Sequence, residues 1–220
     1  MLVVISALAS LYQSLQLQNV AAAAIGMFGI LSVVIWLNSK ISVPFGPQVF
    51  TDSCGAQLIE GLPLLPPLFW LAVILTARGT ARLILRPWRK LRTYGFRLIG
   101  LTCLLTTTFD FGLEPFASRV NHFWIWQPTT VTSTWYGAPW INFFGWLVTS
   151  VLLLAVITPW LINKQPIRKR PADFHPLWLW LGLNLFLAWQ LTAHRLWAAA
   201  IVVGGQTAIT SLVAWKNGRW

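Results

Sequence analysis

The stretch VAAAAIGMFGILSVVIWL, Val20 to Leu37, decides the fold class. It carries no charged residue. A helix of this length rises about 27 Å, close to the hydrocarbon thickness of a bilayer. Its apolar residues run together instead of alternating, so it reads as a membrane helix and not as a strand of a closed barrel. Gly26 and Gly29 add a small face for close helix contact.

Similar stretches lie on both sides of it. Leu2 to Leu17 is interrupted by Gln13, Ser14 and Gln16, and either spans or lies at the interface. Gln57 to Ala77 contains Pro63, Pro66 and Pro67, which should kink or break its early part. Phe96 to Leu113, Trp140 to Ile162, Pro176 to Thr192 and Leu196 to Trp215 complete the series. The chain therefore reads as an all-α, polytopic transmembrane bundle of about seven helices. No linker, repeat or low-complexity stretch divides it, so residues 1–220 form a single transmembrane domain.

Composition agrees. Of the 220 residues 56% are hydrophobic and 10% are charged, against roughly 25% charged in a soluble domain. Mean hydropathy is +0.65. The formal net charge of +11 would suggest nucleic acid in a soluble protein. Here the basic residues lie between apolar runs, which points to topology and membrane lipid, and not to nucleic acid. Arg78, Arg82, Arg86, Arg89, Lys90, Arg92 and Arg97 follow the third run. Lys164, Arg168, Lys169 and Arg170 follow the fifth, and Lys216 and Arg219 end the chain. Alternation places all of these on one side, leaving Lys40, Arg119 and Arg195 on the other. The positive-inside rule makes the first side, with the C-terminus, cytoplasmic. The N-terminus is then outside if the first run spans. The first run lacks a basic n-region, so no cleavable signal peptide is expected. Cys54 and Cys103 make no disulfide or metal framework and read as small packing residues.

The chain has only five carboxylates. Asp173 falls in the basic loop, whereas Asp52, Glu60, Asp110 and Glu114 map to the opposite rim. An acid at a helix end is often a cap or a solvated residue, but acids within spans usually serve function. Asp110 and Glu114 are spaced i, i+4, on one helical face if the helix continues to Pro115. Two carboxylates so placed repel, and an apolar setting favours the protonated form that a general acid needs. The segment from Phe109 to Trp146 is dense in aromatic residues, with Phe123, Trp124, Ile125 and Trp126 in succession. That composition predicts a segment tucked into the bundle or lying flat at the interface, by aromatic packing alone if nothing binds there. The 15 tryptophans exceed the needs of interfacial belts. Trp70, Trp88, Trp160 and Trp220 fit a belt, whereas Trp146 and Trp180 sit mid-helix and suggest a flat or elongated apolar ligand. His122 reads as an interfacial residue or a proton shuttle. His175 and His194 flank the sixth run, the latter near the outer rim. No HExxH, CxxC, GxGxxG or P-loop pattern occurs, and three scattered histidines do not make the His boxes of a di-iron oxygenase.

Three elements carry a resemblance. The run VPFGPQVFTDSCGAQLIEGLPLLPPLFW, Val43 to Trp70, resembles the PFG…Y/F-T…G…GxPLxxPxxW signature of the carotenoid biosynthesis membrane proteins. FDFGLEPFA, Phe109 to Ala117, resembles their D-x-x-x-D/E-P-x-A element, with Glu114 where Asp is more usual. WYGAPWINFFGW, Trp135 to Trp146, is similar to YYGxPxxNFxGW. Together they cover nearly half the chain. The resemblance implies a carotenoid 1',2'-hydratase, acting on substrates such as γ-carotene or bisanhydrobacterioruberin without a cofactor. It also implies a plasma or thylakoid membrane location, and a pigment–protein complex or downstream glycosyltransferase as partner.

The implied substrate dictates the chemistry. An isolated alkene has no carbonyl to polarise, so hydration begins with protonation to a tertiary cation that water captures. Asp110 is the expected acid, with Glu114 or Glu60 orienting water. Asn142, Asn121, Tyr136 and His122 are expected to hold that water. Trp124, Trp126, Trp135 and Phe143 are expected to line the cation. Two rival readings need no such chemistry. A non-catalytic carotenoid-binding subunit explains the aromatic residues but not the gathered acids. A small transporter explains the break at Gly61 to Pro67, but no matching interrupted pair occurs in two halves.

Overall fold

A computed structural model describes residues 2–128, 133–162 and 172–220. Lys164, Arg168, Lys169 and Arg170 of the second basic segment lie outside the described residues. Seven helices form the bundle: α1 (Leu2–Tyr12), α2 (Leu17–Ile41), α3 (Leu65–Ile84), α4 (Tyr94–Pro115), α5 (Trp140–Ile157), α6 (His175–Ala193) and α7 (Trp197–Gly218). This is the expected all-α, multi-pass architecture.

Helices α2, α3 and α7, with α4 extended to Val120 and α5 extended to Trp160, are long and apolar enough to cross a membrane. Their outward residues are apolar: Ile25, Phe144, Leu152, Ile201 and Leu212 are all exposed. In water such a surface would aggregate; in lipid it is solvated. α6 is diluted by Asn184, Gln190 and tryptophans, but it lies antiparallel to α7. Trp178 meets Trp215 near one end, the Trp180 indole donates to the Thr210 hydroxyl, and Leu191 and Val203 meet over Gly112 near the other. α6 therefore runs alongside α7 for most of its length.

Boundaries differ from the sequence reading most in α1 and α3, and α3 runs on to Ile84 so that Arg78 and Arg82 lie on the helix and not in the loop after it. α1 has 11 residues, about 16 Å of helix and too short to span. The third helix begins at Leu65, eight positions later than Gln57. Two consecutive prolines, Pro66 and Pro67, sit in its first turn, where their missing N–H groups break no intrahelical bond. The preceding residues form a small hairpin, β2 (Gln57–Ile59) with β3 (Leu62–Pro63).

α3 is the most enclosed helix, with Leu71, Ala72, Val73 and Ile74 all buried. At one end of the bundle Arg78 donates to the Leu161 carbonyl, 3.3 Å away, and Asn217 donates to the Ile84 carbonyl, 2.8 Å away. These contacts gather the ends of α3, α5 and α7 at the basic end. Ser10 of α1 reaches Asp173 there, at 2.7 Å. The opposite end carries the site.

Candidate functional site

Three short elements frame the site end. After α2 the chain turns through Ser42 in the left-handed region (φ 58°). Buried Asn38 fixes the loop that follows: its Oδ1 accepts the Phe45 N–H at 2.8 Å and its Nδ2 donates to the Gly46 carbonyl at 3.1 Å. Gly145 of α5 lets this loop approach, since a Cβ there would lie 2.7 Å from the Pro44 carbonyl oxygen. The chain then runs as β1 (Gln48–Phe50), antiparallel to β4 (Trp124–Trp126). A second hairpin joins β5 (Thr134–Trp135) to β6 (Ala138–Pro139). Its two-residue turn, Tyr136 (φ 51°) and Gly137 (φ 95°), has the paired positive φ of a tight hairpin.

α4 continues past Asp110 and Glu114 to Pro115 and passes into a π-turn, Phe116–Val120. Pro115 has no N–H for the Phe111 carbonyl, which accepts the Trp135 indole N–H at 2.9 Å instead. Such turns recur at functional sites. The helix carries Asp110 and Glu114 into the core, 0% and 1% exposed.

The two carboxyl groups share one amide. Asn142, in the first turn of α5, donates its Nδ2 to Asp110 Oδ2 at 2.8 Å and to Glu114 Oε1 at 3.1 Å. Glu114 Oε2 accepts two indole N–H groups, from Trp124 at 3.1 Å and Trp126 at 2.9 Å. Strand alternation turns both indoles inward and leaves Ile125 exposed. Glu114 thus accepts three N–H groups and Asp110 one. Asp110 Oδ1 and Asn142 Oδ1 are buried without a hydrogen-bond partner. A carboxyl oxygen with no donor aimed at it is where an acid proton fits.

Beside Glu114 lies a slot lined by Ile35, Asn38, Phe45, Gln48, Phe50, Pro66, Trp70, Trp124 and Trp146. Trp146 is stacked between Trp70 (3.7 Å between ring centres) and Phe45 (4.3 Å). Buried and stacked, Trp70 is a core residue and not part of an interfacial belt.

Residues 1–210 match the sequence profile of the family described as "Carotenoid biosynthesis protein". The chain belongs to this family. Among curated proteins it is similar to the bisanhydrobacterioruberin hydratase of Haloarcula japonica, with 26% identity over 176 residues, 70% of this chain and 55% of the relative. The chain thus spans about half the length of that relative. No solved structure matches it.

Within this family member the expected site residues divide. Asp110, Glu114, Asn142, Trp124 and Trp126 come together. Trp135 and Phe143 meet around Phe111 instead, Phe143 stacked on it at 4.3 Å and Trp135 edge-on at 5.6 Å. The Tyr136 carbonyl accepts the Arg119 Nε at 2.9 Å, and its ring lies under the same guanidinium. Asn121 closes the π-turn through its backbone N–H to the Phe116 carbonyl. His122 is exposed, with Nδ1 donating to the Ser118 carbonyl at 3.0 Å. Glu60 is not brought to the pair: its side chain is 94% exposed and lies 3.6 Å from Lys40. Asp52 and His194 are exposed as well. The slot residues Phe45, Gln48 and Phe50 were not singled out as site candidates. Their only sequence signal was membership in the Val43–Trp70 element. Cys54 is buried beside the site loops, and burial pushes its thiol up to about 11.

Proposed function

We propose that this chain is a carotenoid hydratase that adds water across the terminal 1',2' double bond of an acyclic carotenoid end group. The observation that carries the reading is the buried Asp110–Glu114 pair, bridged by Asn142 and walled by indoles, in a chain of the carotenoid biosynthesis family. The hydratase named for the Haloarcula japonica relative supports the same chemistry. Asp110 is the acid: it gives its proton to the less substituted alkene carbon, leaving a tertiary cation. Indole faces stabilise a desolvated cation by about 2 kcal/mol. Glu114, fixed as an anion by three N–H donors, takes the proton that the captured water releases. The pair begins and ends the cycle with the same number of protons. The basic end of the bundle, with the C-terminus, faces the cytoplasm of a plasma or thylakoid membrane. A downstream glycosyltransferase would consume the new hydroxyl.

Expression in a bacterium engineered to make lycopene or γ-carotene tests the reading, with mass analysis for a gain of one water. Asp110→Asn should accumulate to normal levels and yield no hydrated product. Full hydration by that variant removes the acid assignment. Tightly bound, unchanged carotenoid with no turnover by the wild-type protein supports the pigment-binding reading instead.

A further inference from the structure

The slot beside the acid pair has room for about one water molecule. Its walls are chiefly the rings of Phe45, Trp70, Trp124 and Trp146, and a space that size holds water only where polar groups partner it. Glu114 supplies a carboxylate. The Asn38 amide is already spent on Phe45 and Gly46. Gln48 is different. Its backbone is in register with Trp126 in the ribbon, and its side-chain amide makes no hydrogen bond to another described residue. Gln48 lines the slot on the same strand face as Phe50, and an amide carries both donors and an acceptor.

We infer that this slot seats the water that is added, held between Glu114 and Gln48, with Gln48 as its positioning residue. The inference rests on the hydratase reading above. When the Asp110 proton makes the new C–H bond, the alkene π pair is consumed and the neighbouring carbon becomes cationic. The slot water forms the C–O bond to that carbon, and its surplus proton passes to Glu114. If the water is missing, the cation has one way back: it gives a proton from an adjacent carbon to the Asp110 carboxylate and becomes an alkene again. In heavy water that return leaves deuterium in the recovered carotenoid. Proton transfer and water capture can therefore be read separately.

The experiment compares wild type, Gln48→Leu and Asp110→Asn in membranes supplied with γ-carotene in deuterium oxide. Mass analysis is made of both hydrated product and recovered carotenoid. Gln48→Leu should hydrate about tenfold more slowly, the loss of one hydrogen bond to the nucleophile. Its recovered carotenoid should gain deuterium at least as fast as with wild type. Asp110→Asn should show neither hydration nor exchange. Gln48 is partly exposed, so its replacement should fold, and equal yield and unfolding temperature check this. Wild-type hydration by Gln48→Leu, or parallel loss of hydration and exchange in a folded variant, overturns the slot assignment. A wild-type protein that neither hydrates nor exchanges overturns the hydratase reading itself, and the slot assignment falls with it.

Discussion

The indole N–H of Trp135 donates to the carbonyl of Phe111 across 2.9 Å, the carbonyl that Pro115 leaves without its helical partner. One residue creates the need and another meets it. Trp135→Phe should therefore cost about 1 kcal/mol of stability through the lost hydrogen bond, beyond its packing change. Pro115→Ala supplies a helical N–H to the same carbonyl. In that background the hydrogen-bond cost of Trp135→Phe should shrink. A double-mutant cycle on unfolding in detergent micelles measures the coupling, and strict additivity would show that the indole is not compensating the proline.

Cys54 tests the packing of the loop after α2. The thiolate is the reactive form, and burial pushes this thiol up to about 11. Below that pH the sulfur is mostly protonated as well as shielded at 2% exposure. Alkylation by iodoacetamide should be slow at pH 8 and rise as pH climbs toward 11. Mass mapping of the labelled peptide gives the rate at this position. Rapid labelling at pH 8 would mean the loop opens readily.

Glu60 tests which acids matter. Its side chain stands in solvent beside Lys40, and exposed pairs of this kind contribute little. Glu60→Gln should leave both the unfolding temperature and the hydration rate close to wild type. A large loss of product in the lycopene- or γ-carotene-producing host would place Glu60 in the chemistry after all.

The contrast between Glu60 and Glu114 shows where the sequence was legible. The helices announced themselves through unbroken apolar runs, because lipid leaves only helices or a closed barrel to satisfy the backbone and a barrel strand would alternate. The Asp110–Glu114 face followed from helical spacing alone. Proximity across the loops did not. Glu60 and Glu114 map to the same rim in sequence, but Glu60 falls in the exposed turn of the β2–β3 hairpin and Glu114 in the core. Trp70 looked like a belt residue because a linear reading cannot see Trp146 stacked on it. Gln48 carried no signal of its own, since its position depends on a three-residue strand whose partner lies far along the chain.

The unequal hydrogen bonding of the two acids sets the last prediction. Three N–H groups converge on Glu114. Glu114→Gln offers one acceptor oxygen and turns an NH₂ group toward donors that cannot accept it. At least one buried N–H is left unpaired, at a cost of about 1–3 kcal/mol. Asp110→Asn breaks no hydrogen bond present in the wild type. Its oxygen can accept from Asn142, and its NH₂ replaces an Oδ1 that is already without a partner. Both changes remove one carboxyl group of the same helix face, yet the expected outcomes differ in kind. Asp110→Asn should unfold near the wild-type temperature and be inactive. Glu114→Gln should unfold at a clearly lower temperature, with the Trp124–Trp126 strand loosened from α4. Thermal unfolding in micelles, followed by tryptophan emission, separates the two. Equal destabilisation by both variants would mean that the acids are bonded alike, and the assignment of Glu114 as the fixed anion would fail.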